Sequence, residues 1–112
     1  MAKGFARIEL LGNLGSKPEL KTVKGRDDTD LDVLNGKIAV NVDENTVQWY
    51  SFELWGARAK AGAEHLDKGS KVLISDATML EPHVWKNNEG KDMVDMKVRI
   101  NEWHWLDSKK ED

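Results

Sequence analysis

The chain has 112 residues, 39% of them hydrophobic and 33% charged, and a formal net charge of −3. That is enough for one domain with a modest core, and the acidic balance argues against a protein that binds phosphate through bulk positive charge. No cysteine is present, which excludes disulfides, thiolate metal sites and cysteine nucleophiles. Met1-Ala2-Lys3-Gly4-Phe5 has no signal-peptide core and no long apolar run follows it. The chain therefore reads as cytoplasmic or as a processed organellar form, with no membrane partner.

Taken in chain order, residues 5–14 alternate as a first strand, with Ala6, Ile8 and Leu10 on one side and Arg7 and Glu9 on the other. Gly12-Asn13-Leu14-Gly15 ends it, and Pro18 would interrupt a central ladder. Residues 19–32 read as a connection whose tip, Gly25 to Asp32, is a solvated acidic loop. A second strand over 33–42 points Leu34, Ile38, Val40 and Val42 inward, with Asn35, Lys37 and Asn41 opposite. Gly36 within it suits a bend or a close approach.

A short turn at 43–45 leads to a third strand, 47–55. Residues 57–67 are helical by their alanine content, with Ala59, Ala63 and Leu66 as the apolar stripe and Gly69 just past the end. A fourth strand runs over 71–80 with Val72 and Ile74 in phase. Lys86 to Lys91 is a polar hairpin turn. The fifth strand, 92–101, places Val94, Met96, Val98 and Ile100 inward and Asp95, Lys97, Arg99 and Asn101 outward. The charged tail 107–112 has no packing signal.

The third strand carries the most information. Tyr50, Phe52 and Leu54 supply a core face, while Trp49, Ser51, Glu53 and Trp55 stand opposite. Two indoles among polar groups suit a surface that stacks flat ligands, and unpaired nucleic-acid bases fit because every base has a π-face. Five of the eight aromatics are tryptophan, a residue enriched where one flat face meets a partner. Core packing or a subunit interface is the competing role, and the placement opposite Tyr50, Phe52 and Leu54 favours the ligand face. Trp85 stands beside a polar turn, which favours exposure. For Trp103 and Trp105, base stacking and terminal packing are both open.

Asp27, Asp28, Asp30 and Asp32 crowd one loop, and without them 16 acids face 17 bases. A phosphate site must then be a local groove, for which Lys37, Lys97 and Arg99 are the candidates on polar strand faces. His65, His83 and His104 are isolated, with no metal or base–nucleophile spacing, and no nucleotide-hydrolase phosphate loop occurs. The expectation is no catalytic residue, no metal, no cofactor, and a protein that is not an enzyme.

Five strands with one short helix between the third and fourth is the order of the OB-fold, an all-β, five-stranded Greek-key barrel. That domain would span 1–106. With the elements placed, the sequence resembles the bacterial-type single-stranded DNA-binding protein family. The matching segments are Ile8-Glu9-Leu10-Leu11-Gly12-Asn13-Leu14-Gly15 with Pro18-Glu19-Leu20, Leu34 to Asn41, Trp49 to Gly56, Leu66 to Ser70, and Trp85 ahead of Asn88-Glu89-Gly90. The resemblance implies a homotetramer or dimer that binds single-stranded DNA without strong sequence preference in replication, recombination and repair. It assigns base stacking to Trp49, Trp55 and Trp85, and phosphate contact to Lys3 and Arg7. The chain departs from the pattern in the short 43–46 connection, the weakly basic approach to Trp85 and the long acidic loop. It also ends in Lys-Lys-Glu-Asp in place of an acidic tip closing in Pro-Phe, so recruitment of repair and replication enzymes is not implied. A primosome-type OB accessory protein that docks on replication-restart proteins is the alternative, and a carbohydrate-binding OB module a third reading.

Overall fold

The computed structural model describes residues 3–106, so the tail at 107–112 lies outside the described residues. Its elements are β1 Arg7–Leu14, β2 Glu19–Lys24, β3 Asp30–Asp43, β4 Thr46–Trp55, α1 Ala57–His65, β5 Lys71–Met79, β6 His83–Lys86 and β7 Asp92–Trp105. Five of the strands close a barrel in the order β1-β5-β7-β4-β3, and β3 returns to β1 through Asn13↔Ala39 and Leu14↔Ile38. Glycine makes that closure possible. A Cβ on Gly12 would stand 2.2 Å from the Ala39 carbonyl oxygen, so any side chain would push β1 off β3. All pairings are antiparallel except β4 with β7, which is parallel.

The alternation read from sequence fills this barrel. Leu10, Leu34, Ile38, Phe52, Leu54, Val72, Ile74, Val98 and Ile100 belong to one buried cluster. Helix α1 packs on it through Ala59, and Leu66 just past its end is buried with it. No side chain caps its N-terminus; Gly56 holds φ 97° there, and its N–H donates to the Asp32 carbonyl at 2.9 Å. At the other end the Lys17 ammonium donates to the Ala63 and Leu66 carbonyls, 3.2 Å each, a favourable place for a cation. Among the described residues no helix is long and apolar enough to cross a membrane.

Several expectations need correction. The 19–32 connection is mostly a hairpin, β2 against the start of β3. Its acids serve the ladder: Asp30 pairs with Lys24 at 2.9 Å, and Asp32 accepts from the Thr22 hydroxyl at 2.9 Å. Asp27 folds the turn by accepting from the Thr29 N–H and hydroxyl. Residues 83–86 are likewise a strand, β6, making a second ribbon with β7. The described residues thus form seven strands, five of them in the barrel. Val42 and Val94 are exposed, not inward, because β3 and β7 outrun the barrel. The helix ends at His65, and Gly69 instead occupies the following turn at φ 89°.

Trp103 is settled as a core residue, 9% exposed. Simple alternation from Ile100 would place it outside. The register moves from Ala77↔Ile100 to Asp76↔Glu102, which leaves Asn101 as an extra residue in β7. That bulge inverts the phase and turns Trp103 onto Phe52, with ring centroids 5.9 Å apart.

Candidate nucleic-acid interface

The outer faces of β3, β4 and β7 form one surface whose composition follows from register. Lys37, Ser51 and Lys97 are side-by-side partners across the three strands, and Asn35, Glu53 and Arg99 make the next row. Trp49 and Trp55 occupy the two ends of the β4 face, with Ala39 and Val33 as their cross-strand neighbours. Both indoles face solvent, at 54% and 38% exposure. Beside Trp49 lies an open concavity of about 650 Å³ bordered by Gly15, Lys37, Trp49, Ser51 and Met93. A second of about 350 Å³ shares Lys37, Ser51 and Asp95 with it and reaches Lys97 and Glu53.

Each tryptophan has a seat. Trp49 lies over Gly15 in the β1–β2 connection, where an added Cβ would come within 2.4 Å of the indole. Trp55 donates its indole N–H to the Glu53 carboxylate at 2.5 Å. The same carboxylate oxygen accepts from Arg99 Nε at 2.8 Å. Burial pushes the Glu53 carboxyl up, but the hydrogen bonds from Trp55 and Arg99 and the nearby Arg99 and Lys97 charges outweigh it. The carboxyl is held below its ordinary value and so stays ionised at neutral pH. Val33, beside Trp55 on this outer face, is nonetheless buried. Trp55 thus has an apolar cross-strand neighbour and an indole tethered at its polar edge.

Trp85 comes to this surface by another route. In the β6–β7 ribbon it pairs with Met93, as His83 pairs with Asp95, and strand alternation puts Met93, Asp95, Lys97 and Arg99 on one side of β7. The indole is 40% exposed. The basic residues divide into two groups. Lys3, Lys37 and Lys97 are exposed, and none is in an ion pair with a described residue. Arg99 is held by Glu53. Arg7 sits 3.7 Å from Asp76 and 4.6 Å from the centroid of the Phe5 ring. Arg7 lies further round the barrel, since it pairs with Thr78, which pairs with Arg99.

Alternation therefore brought Trp49, Trp55, Lys37, Lys97 and Arg99 together, while Arg7 sits on a neighbouring flank and Lys3 is exposed ahead of β1. Glu53, Gly15 and Val33 were missed as parts of the site. The signal for Glu53 was present, because an acid two residues from a tryptophan on one strand shares its face.

Known proteins resemble the chain in both sequence and fold. The model of the Single-strand binding protein family matches residues 5–106. A single-stranded DNA-binding protein of Xylella fastidiosa is 31% identical over 78 residues, covering 66% of this chain and 48% of that protein. The chain thus spans about half the length of that relative. Two crystal structures of the mitochondrial single-stranded DNA binding protein Rim1 of S. cerevisiae superimpose with TM-scores of 0.65 and 0.64. Each is 17% identical, with 93% of this chain and 97% of that one covered. They establish the barrel as the same fold.

Proposed function

The chain belongs to the single-strand binding protein family, and from that premise we propose that its β3–β4–β7 face holds single-stranded DNA with little regard to sequence. The observation that carries this reading is the exposure of Trp49 and Trp55 on the face that also bears the Lys37–Ser51–Lys97 row. Bases stack on Trp49, Trp55 and Trp85 while the lysines meet phosphates. Stacking is worth about 1–3 kcal/mol per base and does not use the Watson–Crick edge. Duplex is rejected because its bases already stack on one another. Such a protein would guard unpaired strands during replication, recombination and repair.

Three stacked bases in one subunit offset only part of the cost of ordering a flexible strand. Several subunits on one strand raise the apparent affinity through effective concentration. Self-association fits the edge of β1: residues Arg7 to Gly12 pair with β5 on one side, while β3 joins the other edge only at Asn13 and Leu14. An unpaired strand edge is a template for another strand. The test is tryptophan fluorescence titrated with oligo-dT, with a matched duplex as competitor. Quenching by the single strand that the duplex does not reverse supports the proposal. Unquenched fluorescence, or equal competition by duplex, defeats it.

A further inference from the structure

A second aromatic groove lies off the β3–β4–β7 face, between α1 and the end of β7. It measures about 400 Å³ and is bordered by Arg58, Ala61, Trp103 and Trp105. Trp103 forms its buried wall. Trp105 meets Trp103 edge to face, with centroids 6.0 Å apart, yet remains 39% exposed. His65 packs beside Trp105, its ring 5.8 Å from that indole. Arg58, Ala61 and His65 fall on one helix face by their spacing, and α1 lays the cation and the small residue along the groove. The groove is fixed by packing: a Cβ on Gly62 would come within 3.3 Å of the Trp103 ring and 2.5 Å of Leu34.

An exposed indole beside a guanidinium selects a flat, anionic ligand. Arg58 spends one N–H on the Asn101 carbonyl at 3.1 Å, which aims the group while leaving most of its five donors for an oxyanion. It is in no ion pair with a described residue. Asn101 is two residues from Arg99, which faces the Glu53–Trp55 cluster. Arg58 follows Trp55 by three residues, so the groove lies just past the Trp55 end of the main face, while the Asn101 bulge sets Trp103 and Trp105 on the other side of β7 from Arg99, opposite Ile74 and Val72.

We propose that Trp105 and Arg58 form an outlying subsite for single-stranded nucleic acid, taking one base on the indole and its phosphate on the guanidinium once the strand runs past Trp55 and Arg99. The inference rests on the reading of the main face given above. An aromatic, acidic peptide segment would suit the same two groups, but the short step from Trp55 to Arg58 along the chain favours the strand.

The experiment is fluorescence anisotropy of end-labelled oligo-dT of increasing length with the full chain, its Trp105→Ala and Arg58→Ala variants, and Trp105→Phe. The label reports binding whichever tryptophan is removed. Short oligomers that fill only the main face should bind all four proteins alike. Longer ones should bind Trp105→Ala on the order of tenfold more weakly than the unmodified chain, with Trp105→Phe restoring most of the loss. Arg58→Ala, which leaves the aromatic packing untouched, should make the salt dependence shallower by about 0.7 in log–log slope. Equal affinities at every length, with the strand still bound, overturn this subsite and leave the main face standing. Failure of the unmodified chain to bind any oligomer overturns both. An aromatic, acidic peptide that binds in an Arg58-dependent way while strand affinity is indifferent to Arg58 and Trp105 also overturns it.

Discussion

Replacing Glu53 by Gln separates two jobs that one carboxylate performs. Its oxygen accepts from Trp55 at 2.5 Å and from Arg99 at 2.8 Å. The Arg99 side chain is 51% exposed and that of Glu53 18%. An ion pair open to water on one side contributes roughly 0.2–1 kcal/mol, and the indole bond adds about 0.5–1.5 kcal/mol. Glutamine keeps one acceptor oxygen but no charge, so Glu53→Gln should cost about 1 kcal/mol, lowering Tm by about 4 °C for a domain of this size. Strand binding should move the other way. The substitution removes a negative charge from the proposed interface and releases the Arg99 guanidinium for a phosphate. One further phosphate contact steepens the slope of log K against log salt by about 0.7 for a single strand. Melting curves and oligo-dT titrations at several salt concentrations measure both effects. A slope unchanged from that of the unmodified chain would refute the argument, because Arg99 would then not be held back by Glu53.

Trp55→Ala should weaken oligo-dT binding on the order of tenfold with the circular dichroism spectrum preserved, whereas Trp103→Ala should cost about 3–5 kcal/mol of stability by emptying the space between Phe52 and α1. Gly15→Ala should lower strand affinity with little change in Tm, since the new Cβ meets the far end of the Trp49 ring and no backbone; an unaffected affinity would show that the position of Trp49 is irrelevant. Because the Glu53 carboxyl is held below its ordinary value, its contribution is complete above the unfolded-state range of about 4.3 and is lost as pH falls through the folded value. Melts taken downward from pH 6 should therefore lose less stability in Glu53→Gln than in the unmodified chain, and parallel losses would contradict the sign.

What the sequence made legible was whatever strict alternation controls. β4 was readable because Tyr50, Phe52 and Leu54 leave no second way to orient Trp49 and Trp55. Trp103 was not readable, because the bulge at Asn101 inverts the phase and nothing local marks it; Asn101 is an ordinary polar residue in an alternating run. β2 escaped because its ladder is closed by Lys24 with Asp30 and Thr22 with Asp32, pairs that look like loop residues until the partner strand is present. β6 is four residues long and holds its place only through β7. The tie of Glu53 to Trp55 and Arg99 lies beyond periodicity altogether, since alternation assigns a face and not a bond.

A chain with net charge −3 can still hold a polyanion if its acids are spent elsewhere, and the ion pairs indicate where. Asp30 is tied to Lys24 and Asp92 to Lys86 at 2.9 and 3.0 Å, both in the hairpin ribbons. Asp76 faces Arg7, and Glu53 holds Arg99. Lys3, Lys37 and Lys97 are left without such partners among the described residues. With about 0.7 of log–log salt slope per phosphate neutralised on a single strand, three lysines give a slope of about −2 per subunit on an oligomer too short to reach Arg58. If Arg7 and Arg99 both exchanged carboxylate for phosphate, the five cations would give about −3.5. The expected result for the unmodified chain is the shallower value, because both arginines already have anionic neighbours. A slope near −3.5 would mean that the strand opens both pairs, and the Glu53→Gln variant would then show no steepening. A slope near zero would remove phosphate contact from the mechanism and leave stacking alone to hold the strand.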